Sequence, residues 1–156
     1  MKNKYYTPII SEFYAGFEFE VNNDIVAGTL AIRPPKEWFK QVYGKSEPYT
    51  LDFIKYNLDN NLGMIRVKYL DKKDIESLGW GFYAEAITGK GSGKPDLVFK
   101  KGNYRLRYVR NGDNIFVEIK DDYVNYIQFS GTIKNLSELK IILKQIGLQN
   151  DTEQVL

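Results

Sequence analysis

The chain has 156 residues, a formal net charge of +2, no cysteine and no histidine. The length suits one domain with a real hydrophobic core. The missing residue types exclude disulfides, thiol nucleophiles, thiolate zinc sites, Ser–His triads and the commonest general base near neutral pH. An apolar share of 43%, with 15% aromatic residues that are mostly Tyr and Phe, favours strands over a helical bundle.

In chain order, Met1–Lys4 is basic but has no apolar stretch behind it, so a signal peptide is not expected, and no apolar run is long enough to span a membrane. Glu12–Val21 is predicted as a strand: Phe13, Phe17, Phe19 and Val21 share one parity, Glu18 and Glu20 the other, which reads as a solvated face. Asn22, Asn23 and Asp24 are turn residues, Ile25–Ile32 would return as a hairpin strand, and Pro34 and Pro35 end it. Trp38, Phe39, Val42 and Tyr43 form an aromatic patch, read as core filling near a sheet edge, with a stacked ligand beside Trp38 as the alternative. Thr50 caps a short helix carrying Leu51, Ile54, Tyr56 and Leu58, closed by Asp59–Gly63. That closing segment lacks the ligands of a calcium loop.

Met64–Leu70 is predicted as a strand and Asp71–Gly79 as a small helix with a glycine stop. Trp80–Ile87 is a further strand and Thr88–Pro95 a glycine-rich loop. Four more strands are predicted at Leu97–Lys100, Tyr104–Val109, Ile115–Lys120 and Tyr123–Ile133. The clearest local signal is the helix Leu136–Ile146. Asn135 and Glu138 have capping-box spacing, Leu139, Ile142, Leu143 and Ile146 form one stripe, and Gly147 terminates it. The expected fold is α+β: one domain over residues 1–148 with a mostly antiparallel twisted sheet of roughly six to eight strands, two or three short helices and the C-terminal helix packed on the sheet. Residues 149–156 read as a mobile polar tail.

Several motifs invite a chemical reading. The loop Gly89–Lys94 lacks the first glycine, the terminal Ser or Thr and the following helix of a phosphate-binding P-loop. Leu78–Tyr83 resembles the central piece of an RNA-recognition motif, but the leading basic residue is missing and Glu85 stands where another aromatic belongs. Pro95-Asp96 with Glu118-Ile119-Lys120 resembles the PD-(D/E)xK nucleases. That resemblance implies Asp96 and Glu118 as magnesium ligands, Lys120 positioning the attacking water, and hydrolysis of a phosphodiester. The extra strand Tyr104–Val109 makes an up-down-up meander, which predicts Asp96 and Glu118 at opposite ends of the sheet. From Gly89 to Arg110, seven cations face Asp96 alone, a local charge of +6 that leaves −4 on the remaining chain. Lys100, Lys101, Arg105, Arg107 and Arg110 are therefore candidate ligands for phosphate or an acidic surface.

Two blocks, Ile65–Trp80 and Phe129–Leu148, resemble uncharacterised short proteins encoded by phages and prophages of Bacteroidetes. The resemblance implies a phage or mobile-element origin and no particular chemistry. The expected function is a non-enzymatic interaction protein, virion-associated or an accessory factor, that binds a host or phage protein. It would need no cofactor and no metal, act away from membranes, and reside in the bacterial cytoplasm or the virion. The first alternative is a nucleic-acid or nucleotide-binding module using the basic strand; the second is the magnesium-dependent nuclease.

Overall fold

The computed structural model describes residues 4–22, 38–45, 49–87 and 95–149. The predicted strand Ile25–Ile32, the prolines after it, the loop residues Thr88–Lys94 with Lys90 and Lys94, and the tail beyond Gln149 lie outside the described residues. The structure is α+β. In place of one sheet, antiparallel strands divide between a four-stranded and a five-stranded sheet, with three α-helices among the described residues. Within the span expected to be one domain, the chain forms two compact units that meet between Lys68 and Tyr69. No helix of the described residues is long and apolar enough to cross a membrane.

The N-terminal unit contains β1 (Tyr5–Tyr6), β2 (Glu18–Asn22), β3 (Trp38–Val42), α1 (Leu51–Asp59) and β4 (Ile65–Lys68), in the sheet order β1-β4-β2-β3. The strand predicted from Glu12 begins only at Glu18. Upstream, the Ile9 N–H donates to the Glu12 carboxylate at 2.8 Å and the chain makes a 3-10 turn over Ile10–Glu12. Gly16 then adopts φ +92°, a conformation an L side chain resists, and its N–H donates to the Tyr43 carbonyl at 2.9 Å. Phe13 and Phe17 thus enter the core from a turn, although their spacing mimics a pleat. Phe13 is the hub, meeting Phe17, Phe19 and Tyr43 edge-on at centroid distances of 5.0, 5.3 and 5.8 Å. Val21, Ile65, Val67 and Ile54 complete the cluster.

Thr50 caps α1 as its position suggests, accepting the Phe53 N–H at 3.3 Å. The buried side differs from the predicted stripe: Ile54 and Asn57 face inward, while Tyr56 and Leu51 are 64% and 47% exposed.

The C-terminal unit contains α2 (Lys72–Ser77), β5 (Gly81–Ala86), β6 (Asp96–Lys101), β7 (Tyr104–Asn111), β8 (Asn114–Asp121), β9 (Tyr126–Thr132) and α3 (Leu136–Gln145). The strands pair in chain order as an antiparallel meander. Asp71 and Asp74 cap α2 reciprocally, at 3.1 and 3.0 Å. Asn135 accepts the Glu138 N–H at 3.0 Å, and the Glu138 carboxylate takes the Lys134 N–H at 2.6 Å, one residue before the cap. Gly147 sits at φ +74° just past the helix.

The stripe residues Leu139 and Leu143 are closed to solvent, as are Phe99, Leu106, Ile115, Val117 and Ile119 on one face of the meander. Trp80, Leu70 and Ile75 of the same unit are equally buried. Removing the Leu143 side chain leaves a cavity in the core, so Leu143→Ala is expected to cost about 2–5 kcal/mol, against about 1 kcal/mol for Asn135→Ala at the N-cap of the same helix. Urea denaturation midpoints check both.

Tyr108 lies in this core, its hydroxyl donating to the Leu70 carbonyl at 2.9 Å. Its pKa is raised above the ordinary 10.0, mainly because burial disfavours the phenolate; Arg110 opposes the shift, and Asp71 and Asp74 add to it. The unfolded chain therefore gives up this proton before the folded one does. The stabilisation is whole below the unfolded value and is lost as pH rises through the folded one. Tyr108→Phe is expected to lose about 1 kcal/mol near neutrality and to flatten the decline in stability above pH ~10, read from denaturation midpoints as a function of pH.

Candidate functional site

The pleat sorts the basic residues of β6 and β7. Lys100 lies opposite Arg105, and Arg107 opposite Val98; these form the outer face. Lys101 pairs with Tyr104 and Arg110 with Ile115, so both belong to the parity of the core face. The five do not make one patch.

Each is also engaged within the fold. Arg107 Nε donates to Asp96 at 2.8 Å, and Arg105 Nε to Asp122 at 3.1 Å. Lys101 Nζ donates to the Leu78 carbonyl at 2.9 Å and Arg110 Nε to the Gly112 carbonyl at 3.1 Å. The Lys100 ammonium stands 4.0 Å from the Tyr83 ring centre. What remains as a shared cationic feature is the cross-strand row Lys100, Arg105 and Lys120.

The nuclease-like residues stand differently from their predicted places at opposite ends of the sheet. The register sets Val98, Arg107 and Glu118 at one level, so Asp96 lies two residues along and two strands across from Glu118, on the same face. At about 3.3 Å per residue and about 4.8 Å per strand, the separation is on the order of 12 Å between Cα atoms. The meander is as expected, with β6 and β8 parallel on either side of β7, but its register sets Glu118 level with Val98, near the start of β6 and not at its far end. Arg107 stands between the two carboxylates. The side chain of Asp96 is only 3% exposed and is held by this guanidinium; Lys120 lies opposite Arg105. Among the described residues, no group of three or more His, Cys, Asp or Glu is placed to hold a metal.

The aromatic strand β5 follows its resemblance only in part. Trp80 is 1% exposed and offers no stacking surface, while the rings of Phe82 and Tyr83 are faced by Lys72 and Lys100 at 3.6 and 4.0 Å. The place beside Trp38 is taken by Arg66, whose guanidinium lies 3.9 Å from the Trp38 ring centre and 3.6 Å from that of Tyr5. Its Nε and Nη2 both reach Glu20 Oε2 at 2.7 Å. Glu20 is therefore an ion-pair partner and not simply a solvated carboxylate.

Among the described residues, the turn between β8 and β9 gathers exposed apolar side chains on a hydrogen-bonded frame. Asp121 Oδ1 accepts the N–H groups of Tyr123 and Val124 at 2.8 and 3.3 Å. The Asp122 N–H donates to the Asn103 carbonyl at 2.9 Å, while Arg105 holds the Asp122 carboxylate. Asn125 adopts φ +54°, which asparagine tolerates better than most residues. This frame leaves Tyr123, Val124, Tyr126 and Ile127 exposed by 85, 59, 63 and 47%. The strand predicted from Tyr123 begins at Tyr126, so Tyr126 and Ile127 open β9 while Tyr123 and Val124 belong to the turn. The overlooked signal is Asp121 and Asp122 followed by Asn125, a cluster that bonds its own backbone into a turn. Next to it, the outer edge of β9 pairs with no strand among the described residues.

No family model matches this chain, and comparison with curated proteins and with solved structures gives no match.

Arg107→Met is expected to destabilise the protein by on the order of 3 kcal/mol, because it withdraws the guanidinium from a buried carboxylate. Asp96→Ala with Arg107→Met should recover most of that loss, since a missing pair costs less than a broken one. Urea denaturation of the single and double variants measures the coupling.

Proposed function

We propose that this is a non-enzymatic interaction protein of phage or mobile-element origin, virion-associated or an accessory factor, that docks on a host or phage protein through the β8–β9 turn. The observation that carries the reading is the cluster Tyr123, Val124, Tyr126 and Ile127, held outward by a hydrogen-bonded turn. Exposed apolar groups gathered in one place mark contact surfaces more often than scattered ones do, and tyrosine is enriched among residues that dominate binding energy. A pre-ordered turn also spares the partner the entropic cost of arranging it. The lack of histidine and cysteine in the whole chain supports a binding role over a catalytic one.

A second reading, nucleic-acid binding, is favoured by the row Lys100, Arg105 and Lys120 across three adjacent strands. It is to be tested at Lys100 and Lys120, because reversing Arg107 would disturb the Asp96 ion pair and confuse lost binding with lost folding.

The experiment is isolation of a stoichiometric complex from host cells with tagged wild-type protein and with Tyr123→Ser/Tyr126→Ser. The double variant is expected to weaken that complex at least about a hundredfold with little change in unfolding midpoint. Equal complex formation by both proteins sinks the turn as the docking element. In a parallel assay with labelled oligonucleotides, salt-sensitive binding lost in Lys100→Glu/Lys120→Glu would replace the first reading by the second. Magnesium-dependent cleavage would overturn the non-enzymatic role.

A further inference from the structure

The five-stranded sheet has two outer strands, β5 and β9, and their edges are built differently. β5 is guarded. Glu85 stands exposed on it, a bulge interrupts its register between Phe82 and Ala84, and lysines face the rings of Phe82 and Tyr83. Natural sheets use such devices to keep an edge from pairing with another chain. On β9 they are sparse. From Tyr123 to Ile133 the chain runs eleven residues without a charge or a proline. Only a bulge at Gln128, between the residues opposite Lys120 and Ile119, disturbs the strand. Uncharged segments of high strand propensity are the ones that pair with identical copies of themselves.

Hydrogen-bond parity fixes what this edge offers. The Ile133 N–H donates inward to the Ile115 carbonyl at 2.9 Å. Antiparallel pairing alternates inward and outward residues, so Gly131 and Phe129, opposite Val117 and Ile119, also bond toward β8. Ser130 and Thr132 turn their N–H and C=O groups away from it. The next outward carbonyl, that of Lys134, accepts the Leu70 N–H at 2.8 Å, which agrees with this parity and marks where the open stretch stops. Ser130 and Thr132 are exposed, and no strand among the described residues pairs with them from the outer side. Between them, a Cβ on Gly131 would meet Phe129 Cζ at 3.0 Å, so the half-buried Phe129 ring lies across the middle of the open stretch.

We propose that a second copy of this chain pairs antiparallel along this edge, about a two-fold axis at Gly131, and joins two sheets into one. Ser130 then stands opposite Thr132 of the partner copy and Thr132 opposite its Ser130, each pair exchanging both N–H···O bonds. Gly131 meets its own counterpart in the non-hydrogen-bonded position, where Cα atoms approach to about 4.5 Å. The two Phe129 rings flank the axis on the same face and add apolar contact. A strand without charges faces its own copy without like-charge repulsion. Pairing is confined between the bulge and Lys134, so the dimer is weak and forms at about 0.1–1 mM chain. Tyr123 and Val124 lie beyond the bulge and outside this contact, so the dimer does not depend on the role of the turn.

The test is sedimentation velocity of the full chain over a concentration series, with amide exchange read residue by residue by NMR at its two ends. The wild type is expected to pass reversibly from monomer to dimer. In the dimer the Ser130 and Thr132 amides should exchange at least about tenfold more slowly, while the Gly131 amide, bonded within the sheet, is protected throughout. Ser130→Lys/Thr132→Lys sets like charges opposite each other and should weaken association at least about tenfold, with little change in unfolding midpoint. Tyr123→Ser should dimerise as the wild type does. A wild type that stays monomeric at about 1 mM overturns the proposal. So does a dimer whose Ser130 and Thr132 amides exchange as in the monomer, a comparison that needs no variant. Association kept by the lysine variant and lost in Tyr123→Ser would also overturn it and place the contact at the turn.

Discussion

The register of the β6–β9 meander is the constraint on which most of the C-terminal unit depends. Side chains alternate with a period of two, so a single-residue slip of β7 would turn Leu106 and Tyr108 outward and drive Arg105 and Arg107 into the core. The observed pairing avoids this on every strand at once. It aligns the buried Phe99, Leu106 and Ile119 on one face and sets Val98, Arg107 and Glu118 in one row on the other. It also brings Arg107 within reach of Asp96 and Arg105 within reach of Asp122, and the second of these contacts anchors the base of the exposed turn. Core, ion pairs and exposed turn are three results of one alignment.

Both sheets use an outward-facing arginine as a cross-strand tie. In the four-stranded sheet, Arg66 on β4 touches Tyr5 on β1, Glu20 on β2 and Trp38 on β3, so one side chain contacts every other strand of its sheet. A planar guanidinium suits this position because it stacks on rings through its faces and donates to a carboxylate through its edge. In the five-stranded sheet, Arg107 binds the buried carboxylate of the neighbouring strand. These cations are structural. A count of basic residues along the chain therefore overstates the charge left for a partner.

The parts of the site differ in how far they could be read in advance. The basic run from Lys100 to Arg110 was visible as composition, but its division between two faces and its internal partners depend on strand pairing. The turn at Tyr123 was concealed by its apolar residues, which fit a strand as well as a turn until Asp121 is seen to bond the backbone. The burial of Asn57 had no local sign, since a helical asparagine beside a turn usually faces solvent; it depends on the packing of α1 against β4 and the Ile10–Glu12 turn.

The sequence by itself determined the elements whose signals are local. Helices α2 and α3 follow from Asp71, Asn135 and their glycine stops, and the four meander strands from short alternating runs between Gly and Asn turns. Capping, left-handed glycines and side-chain periodicity act within a few residues, so they survive without knowledge of the rest of the chain. Tertiary structure alone decided the division into two sheets, the start of β2 at Glu18 in place of Glu12, and the partners of Arg66 and Arg107. It also decided the level at which Asp96 meets Glu118 and the exposure of the β8–β9 turn. Each of these rests on contact between residues far apart in the chain, where the energy comes from burial and pairing and leaves no pattern in any single segment.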